Sequence, residues 1–353
     1  MDGIRVDWEE LEAFTTEVFV SAGLPRADAE LEAEVLVWAN LRGIDSHGVL
    51  RVPSYLDNIG KGLMNPKPNI RIMKETPAVL FVDADRAMGP VVTVFAMERV
   101  IEKAKNVGIG WALLRNNTHQ GAMAYYPLMA ARENMAGIAI VCSPPNMAPH
   151  GAKAAGLHNS PIAIAVPSER HKPLVLDMAT SIVAGGKLMV AADKGVPLGE
   201  GWALDASGNP TTDPGDAKVL VPCAGPKGSG LALMFQCLAS LMAGNPLLVP
   251  VLRGGDRSWA QNGIVAAIDV ELFGDVETYK ENVDTLVDEL KALPREDGFD
   301  EILMPGEPEE QVLADRTRNG IPLPPGTVGK MRDAAGRSNV ELPGALRPES
   351  GRG

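Results

Sequence analysis

The chain has 353 residues, 45% hydrophobic and 22% charged, a balance that suits a globular enzyme of about two domains and excludes a disordered chain. A net charge of −12 with no Lys/Arg-rich run denies nucleic acid or an anionic membrane the basic face that attraction to them requires. An acidic start, the lack of an apolar run of about 18 residues, and three scattered cysteines (Cys142, Cys223, Cys237) predict a cytoplasmic protein with no secretory signal, membrane span or disulfide framework.

The first segment reads as helices. Asp7 followed by Glu10 resembles a capping box, Leu11, Phe14 and Val18 recur at helical spacing, and Gly23 and Pro25 close the helix. A second helix carries Leu31, Val35, Trp38 and Leu41 on one face, with Gly43 after it. The loop Gly43–Gly48 leads to a short helix over about Val49–Ile59, and Asn65-Pro66-Lys67-Pro68 is a stiff connector that marks the first domain boundary.

Beyond it the period changes. Strands are predicted at Ala78–Asp83, Gly110–Leu114, Gly137–Ser143, Ile162–Val166, Leu174–Met178 and Ile264–Val270, the β-branched alternation of Ile162–Val166 being the plainest. Helices are predicted at Val91–Lys105, Ser181–Asp193, Gly228–Ala243 and Asp275–Leu293, with a Gly/Pro/Asp-rich loop between the second and third of these. The last residues, 347–353, read as a disordered tail.

The glycine fingerprint that seats a pyrophosphate on a helix N-terminus is missing. Gly108-Ile109-Gly110 lacks a third glycine and enters a strand. Gly225-Pro226-Lys227-Gly228-Ser229-Gly230 has its glycines in the wrong order, and Gly186-Lys187 is followed by Leu188, so no Walker sequence exists. The five histidines (His47, His119, His150, His158, His171) show no i,i+3 or i,i+4 pairing, and no metal site is expected.

Several polar loops nevertheless resemble one family. Asp45-Ser46-His47-Gly48-Val49-Leu50-Arg51 with Tyr55, then Asn117-Thr118-His119-Gln120-Gly121, Asn159-Ser160-Pro161, Leu176-Asp177-Met178-Ala179-Thr180-Ser181, Lys227-Gly228-Ser229-Gly230, Gln261-Asn262-Gly263 and Met304-Pro305-Gly306-Glu307 are similar, in order, to blocks of the malate/L-lactate/sulfolactate dehydrogenase family. That family also takes in ureidoglycolate dehydrogenases, diketogulonate reductases and piperideine/pyrroline-2-carboxylate reductases. The resemblance implies an α/β, non-Rossmann nucleotide-binding fold with a central mixed sheet (residues 69–274, with a helical insertion at about 181–245). It also implies a helical domain made by residues 1–68 with about 275–346, and a homodimer. Cofactor contacts, to NAD or NADP, are implied at Asp177, Met178, Ala179, Thr180 and Ser181, at Lys227 and Gly228, and at Pro305, Gly306 and Glu307. The chain departs from the family at Gln120, where an aromatic is usual, at His158, where Thr or Gly is usual, and at Ser229, where Tyr or His is common; all three bear on the substrate.

Reducing a 2-oxo or 2-imino acid takes a hydride donor, a proton donor and a cation for the carboxylate. His47 suits the proton donor, with Ser46 capping the following helix and the helix dipole lowering the imidazole toward neutrality. Arg51, one turn later, shares its face and suits the carboxylate. His119, just past a strand, is the rival acid/base or a hydrogen-bond donor to the substrate oxygen. Tyr55 and Asn159 are expected at the substrate. Three functions remain in view: a 2-hydroxy acid dehydrogenase, a cyclic ketimine reductase using the same residues, and a nucleotide-binding dimer that has lost catalysis.

Overall fold

The computed structural model describes residues 4–257 and 259–348; most of the tail expected at 347–353 lies outside them. The chain begins with β1 (Ile4–Val6), α1 (Trp8–Ser21), α2 (Arg26–Leu41) and α3 (Val52–Gly60). Asp7 does cap α1, its carboxylate accepting from the N–H groups of Glu9 and Glu10, which satisfies two of the donors a helix start leaves unpaired. Leu11, Val18 and Phe19 are fully enclosed, each such burial contributing about 1.5–3 kcal/mol. They share one core cluster with Ile321, Leu323, Val328 and Met331 from the far end of the chain.

The middle of the chain supplies β2 (Arg71–Glu75), β3 (Val79–Asp83), α4 (Gly89–Val107), β4 (Ile109–Asn117), α5 (Tyr125–Arg132), β5 (Met135–Cys142), β6 (Ile162–Val166) and β7 (Leu174–Met178). Next come α6 (Gly185–Lys194), the short strands β8 (Ala203–Leu204), β9 (Pro210–Thr211) and β10 (Val219–Leu220), and α7 (Pro226–Phe235), which runs on into a π-helical turn at Gln236–Leu241. After α8 (Val249–Leu252) follow β11 (Gln261–Asp269), α9 (Val276–Lys291), α10 (Glu307–Asn319), β12 (Ile321–Leu323) and α11 (Pro325–Ser338). β12 pairs antiparallel with β1, bringing the two ends of the chain together.

The central sheet is mixed, in the order β2-β3-β4-β11-β5-β6-β7. Its β3–β4 pair is parallel and its other described pairs are antiparallel. α4 and α5 cover one face around Val82, Met97, Leu114, Tyr126 and Val265; Phe235 and Ala239 cover the other around Leu113, Ile140 and Ile264. The Gly108/Gly110 pair serves this packing. Gly108 closes α4 at φ +85°, and a Cβ on Gly110 would stand 2.0 Å from the Val100 carbonyl oxygen.

Two expected helices differ in extent: the first starts at Gly185, not Ser181, and the second turns π-helical after Phe235. The loop between them holds the small sheet β8–β10. α5 is buried on nearly every side and α10 on none, so neither carries the one-sided apolar stripe that makes a helix readable.

Register fixes where chemistry gathers. Gln261 faces Asn117, Asn262 faces Cys142, Ile140 faces Ile162, and Ile162 faces Met178. The segments carrying His119, Ser143, Asn159, Ala179 and Gln261 therefore leave the sheet at the same end.

Candidate active site

A cavity of about 1570 Å³ opens at that sheet end, between the sheet, the α2–α3 loop, α6 and the start of α10. A small-molecule pocket is typically about 300–1,000 Å³, so this one has room for a cofactor and a substrate together. Its walls include Ser46, His47, Arg51, Tyr55 and His119 on one side and Asn159, Asp177, Ala179, Pro305 and Gly306 on the other.

His47 stands in a 3₁₀ turn, Asp45–His47, which distant residues hold in place. Asn40 donates to the Asp45 carboxylate (2.7 Å) and accepts from Val49 N–H (2.8 Å). Arg316 of α10 grips both Asp45 oxygens, at 2.6 and 3.1 Å. Gly48 is required here because a Cβ would fall 2.1 Å from Asn40 Oδ1. Ser46 does not cap the next helix: its Oγ lies 2.9 Å from His47 Nδ1. Burial first, then Arg51, lowers His47 to about 4, so its neutrality comes from enclosure and a neighbouring cation and not from the helix dipole expected from the sequence.

Arg51 donates from Nε to the Ser46 carbonyl (2.7 Å). His119 stacks on His47, ring centroids 5.3 Å apart and planes 22° from parallel. Its Nδ1 lies 2.6 Å from Tyr55 Oη and accepts from Gly121 N–H at 3.2 Å. Burial, then the charges of Arg51, His47 and His158, hold His119 well below the ordinary histidine range.

Asp177 accepts from Ala124 N–H (2.8 Å). Its carboxyl is open to the cavity but walled in by protein; burial, reinforced by Glu309 and opposed by the N–H groups of Ala124 and Met123, pushes it up to about 6. Pro305 and Gly306 lie along the edge strand, Val175 N–H donating to the Pro305 carbonyl, and a Cβ on Gly306 would come within 2.6 Å of Val175 Cγ1.

Other residues expected at the cofactor frame the wall without lining it. Thr180 and Ser181 are buried, Ser181 Oγ donating to the Val183 carbonyl and accepting from Asn159. Asn159 is further tied to Asn146 by two hydrogen bonds. Gly228 is packed against backbone, a Cβ there standing 2.3 Å from the Thr180 carbonyl oxygen and 2.6 Å from that of Cys223. Glu307 binds Lys291 and Met304 N–H. Lys227 is exposed, and neither it nor Met178 lines the cavity.

The cavity also gathers Arg257, Asn146 and Gln261, which the sequence did not single out as ligand contacts, together with Lys187 and with Gln120 and His158, two of the positions expected to bear on the substrate. Gly186 presses α6 onto Ser46, where a Cβ would meet Ser46 Cβ at 2.3 Å. His158 is 8% exposed, and burial with Arg257 lowers it to about 3.

The model of the malate/L-lactate dehydrogenase family matches residues 6–332. The chain belongs to this family. Malate dehydrogenase of Pyrococcus horikoshii is 36% identical over 348 residues, 96% of either chain, and a solved structure of that organism's malate dehydrogenase superposes with a TM-score of 0.88 at 34% identity over 96% of this chain and 97% of the other. L-sulfolactate dehydrogenase of Methanocaldococcus jannaschii is 41% identical over 300 residues, 84% of this chain and 86% of the relative. A malate dehydrogenase structure from Entamoeba histolytica gives a TM-score of 0.90 at 29% identity, covering 96% and 99%. The mixed α/β architecture is that of these malate/L-lactate dehydrogenase family structures, and the members named here are dehydrogenases of small carboxylates.

A nicotinamide dinucleotide fits the residues present. Ala179 and Gly185 keep the wall low, and a Cβ on Gly185 would meet nothing within 4 Å. The Asp177 carboxylate offers an acceptor for ribose hydroxyls, as acidic residues do in other dinucleotide sites.

Proposed function

We propose that this protein is an NAD(P)-dependent oxidoreductase that interconverts the 2-oxo and 2-hydroxy forms of a small carboxylate. The observation that carries this reading is one cavity in which two neutral imidazoles, His47 and His119, stack beside Arg51. The guanidinium spends Nε on the Ser46 carbonyl and keeps its Nη groups for a carboxylate, which a planar fork binds in two contacts. With the carboxylate held there, the adjacent C2 oxygen falls to the two histidines. His47 exchanges the proton at that oxygen and His119 donates a hydrogen bond to it. The chemistry that a nicotinamide bound there would supply is hydride transfer to or from C2.

Asp177, Ala179, Pro305 and Gly306 would hold the cofactor, NAD or NADP, without a Rossmann fingerprint; Met178, Thr180, Ser181, Gly228 and Glu307 shape that wall from behind, and the exposed Lys227 stands outside it. Tyr55 and Asn159 border the substrate space. The helices of the two chain ends and the central sheet act as separate domains with the site between them. The active form is a cytoplasmic homodimer. Support comes from Leu231, Met234, Leu238, Leu241 and Met242 along α7 and its π-helical extension, all at least 40% exposed at helical spacing, an apolar stripe a second copy would cover.

The test is a panel of pyruvate, oxaloacetate, 3-sulfopyruvate and piperideine-2-carboxylate assayed for oxidation of NADH and NADPH. Turnover of a 2-oxo acid supports the reading. Turnover of the cyclic imine alone would move the function to ketimine reduction, and binding of dinucleotide with no turnover of any would leave a catalytically lost nucleotide-binding dimer.

A further inference from the structure

The two cavity histidines differ in what their other ring nitrogen meets. Ser46 Oγ, 2.9 Å from His47 Nδ1, is a hydroxyl that donates or accepts by rotating its hydrogen. It therefore tolerates His47 with or without a proton on Nδ1, and His47 is free to change state. His119 has no such freedom. Two groups converge on its Nδ1: Tyr55 Oη at 2.6 Å and the Gly121 N–H at 3.2 Å.

A backbone N–H only donates. Gly121 presents it from a turn at φ +71°, a backbone state that suits glycine, with a Cβ there 3.1 Å from Val35 Cγ1. If Nδ1 carried hydrogen, that N–H would point at another N–H. The Tyr55 oxygen would then have to accept, and its own hydrogen would need a second acceptor. Tyr55 is 2% exposed and Nδ1 is its hydrogen-bond partner among the described residues. Burial, with Glu32 nearby, also holds the phenol neutral, so it retains a hydrogen to give.

We infer that Tyr55 and the Gly121 N–H lock His119 as the Nε2–H tautomer, making His119 a fixed hydrogen-bond donor to the substrate's C2 oxygen, with Tyr55 a positioning residue and not a substrate ligand. The inference rests on the reaction proposed above. During reduction a C2–H bond forms with the incoming hydride, the carbonyl π pair moves onto oxygen, and that oxygen takes a proton from His47, which first picks one up from solvent to become the imidazolium and returns to the neutral imidazole. His119 keeps its own proton throughout, bonded to the growing negative charge. A neutral imidazole used as an electrophile is a known solution in enzymes. The arrangement also gives one meaning to the 5.3 Å stacking of the rings: two imidazolium ions so close would repel, and only His47 need ever be charged.

The test has two readouts. In protein labelled with ¹⁵N-histidine, the His119 signals, assigned by their loss in His119→Gln, should show hydrogen on Nε2 and none on Nδ1 from neutral pH down to mild acid. This measurement needs no substrate, so it stands even if the proposed reaction is wrong. Hydrogen on Nδ1, or a His119 that titrates near the ordinary histidine range, overturns the lock. In Tyr55→Phe, which leaves only the Gly121 N–H on Nδ1, the Nδ1–H tautomer should gain population, and kcat for the reducible 2-oxo acid should fall about ten-fold while KM changes less than about two-fold, the pattern for an interaction that strengthens in the transition state. A raised KM with unchanged kcat would make Tyr55 a substrate ligand and overturn the positioning role.

Discussion

Acidification should unfold this protein partly through its cavity histidines, and His158 is the cleanest probe. Burial and Arg257 hold it at about 3, against 6.5 for an unperturbed histidine. The unfolded chain therefore binds a proton below about pH 6.5 that the folded chain refuses, and stability falls as pH falls. This contribution is intact above 6.5 and is lost progressively on the way down to about 3. From about pH 7.5 to about 4.5 some two pKa units of the difference are spent, or about 3 kcal/mol at roughly 1.4 kcal/mol per unit. That is a large part of a typical folding free energy of about 5–15 kcal/mol. His158→Gln removes the titration while keeping an amide able to reach Ser160 Oγ, now 3.2 Å from His158 Nδ1. Urea unfolding of both proteins across that range should show wild type losing about 3 kcal/mol more than the variant. Parallel curves would mean that His158 takes its proton in the folded state, and the burial argument would fail.

Gly228→Val should damage the fold before it damages cofactor binding, because its Cβ would meet the Thr180 carbonyl oxygen at 2.3 Å; a loss of about 1–3 kcal/mol or more is expected, read as a lowered Tm without ligand, and an unchanged Tm with weakened NAD(P)H binding would contradict this. Arg316→Ala frees Asp45 from its two-point grip and should lower kcat about ten-fold with secondary structure intact by circular dichroism, since a small misplacement of His47 is costly. Leu238→Lys, in the apolar stripe on the π-helical extension of α7, should shift the protein toward monomer by light scattering; a monomeric wild type would remove the homodimer.

Local physics carried much of this fold into the sequence. The Asp7 cap, the apolar spacing of α1 and α2 and the alternation in β6 each depend on neighbours within one or two turns, and each is found where the pattern puts it. The polar segments containing His47, Arg51, His119 and Asp177 were also recognisable, by their resemblance to the family's blocks, and the fold brings them to one cavity. What stayed hidden is non-local. The turn bearing His47 is set by Arg316, 271 positions away, and no spacing rule links the two. His158, Lys187 of α6 and Arg257 enter the cavity from separate segments, and burial, which sets the state of His158, is a property of the whole packing. Thr180, Ser181 and Gly228 sit in recognisable blocks yet do not line this cavity, since the same small residues serve close backbone packing.

The proton exchange proposed between His47 and the substrate oxygen is put to the test by His47→Asn. Asparagine keeps much of the reach and hydrogen bonding but cannot move a proton near neutral pH. The account predicts a fall in kcat of roughly 10²–10⁴-fold with NAD(P)H affinity, measured separately by fluorescence titration, unchanged. In wild type, kcat/KM for oxidation should rise with pH through about 4, where free His47 loses its proton, and stay level above it; in the variant that rise should vanish. A variant that keeps its kcat, or keeps the inflection, would show that another group carries the proton.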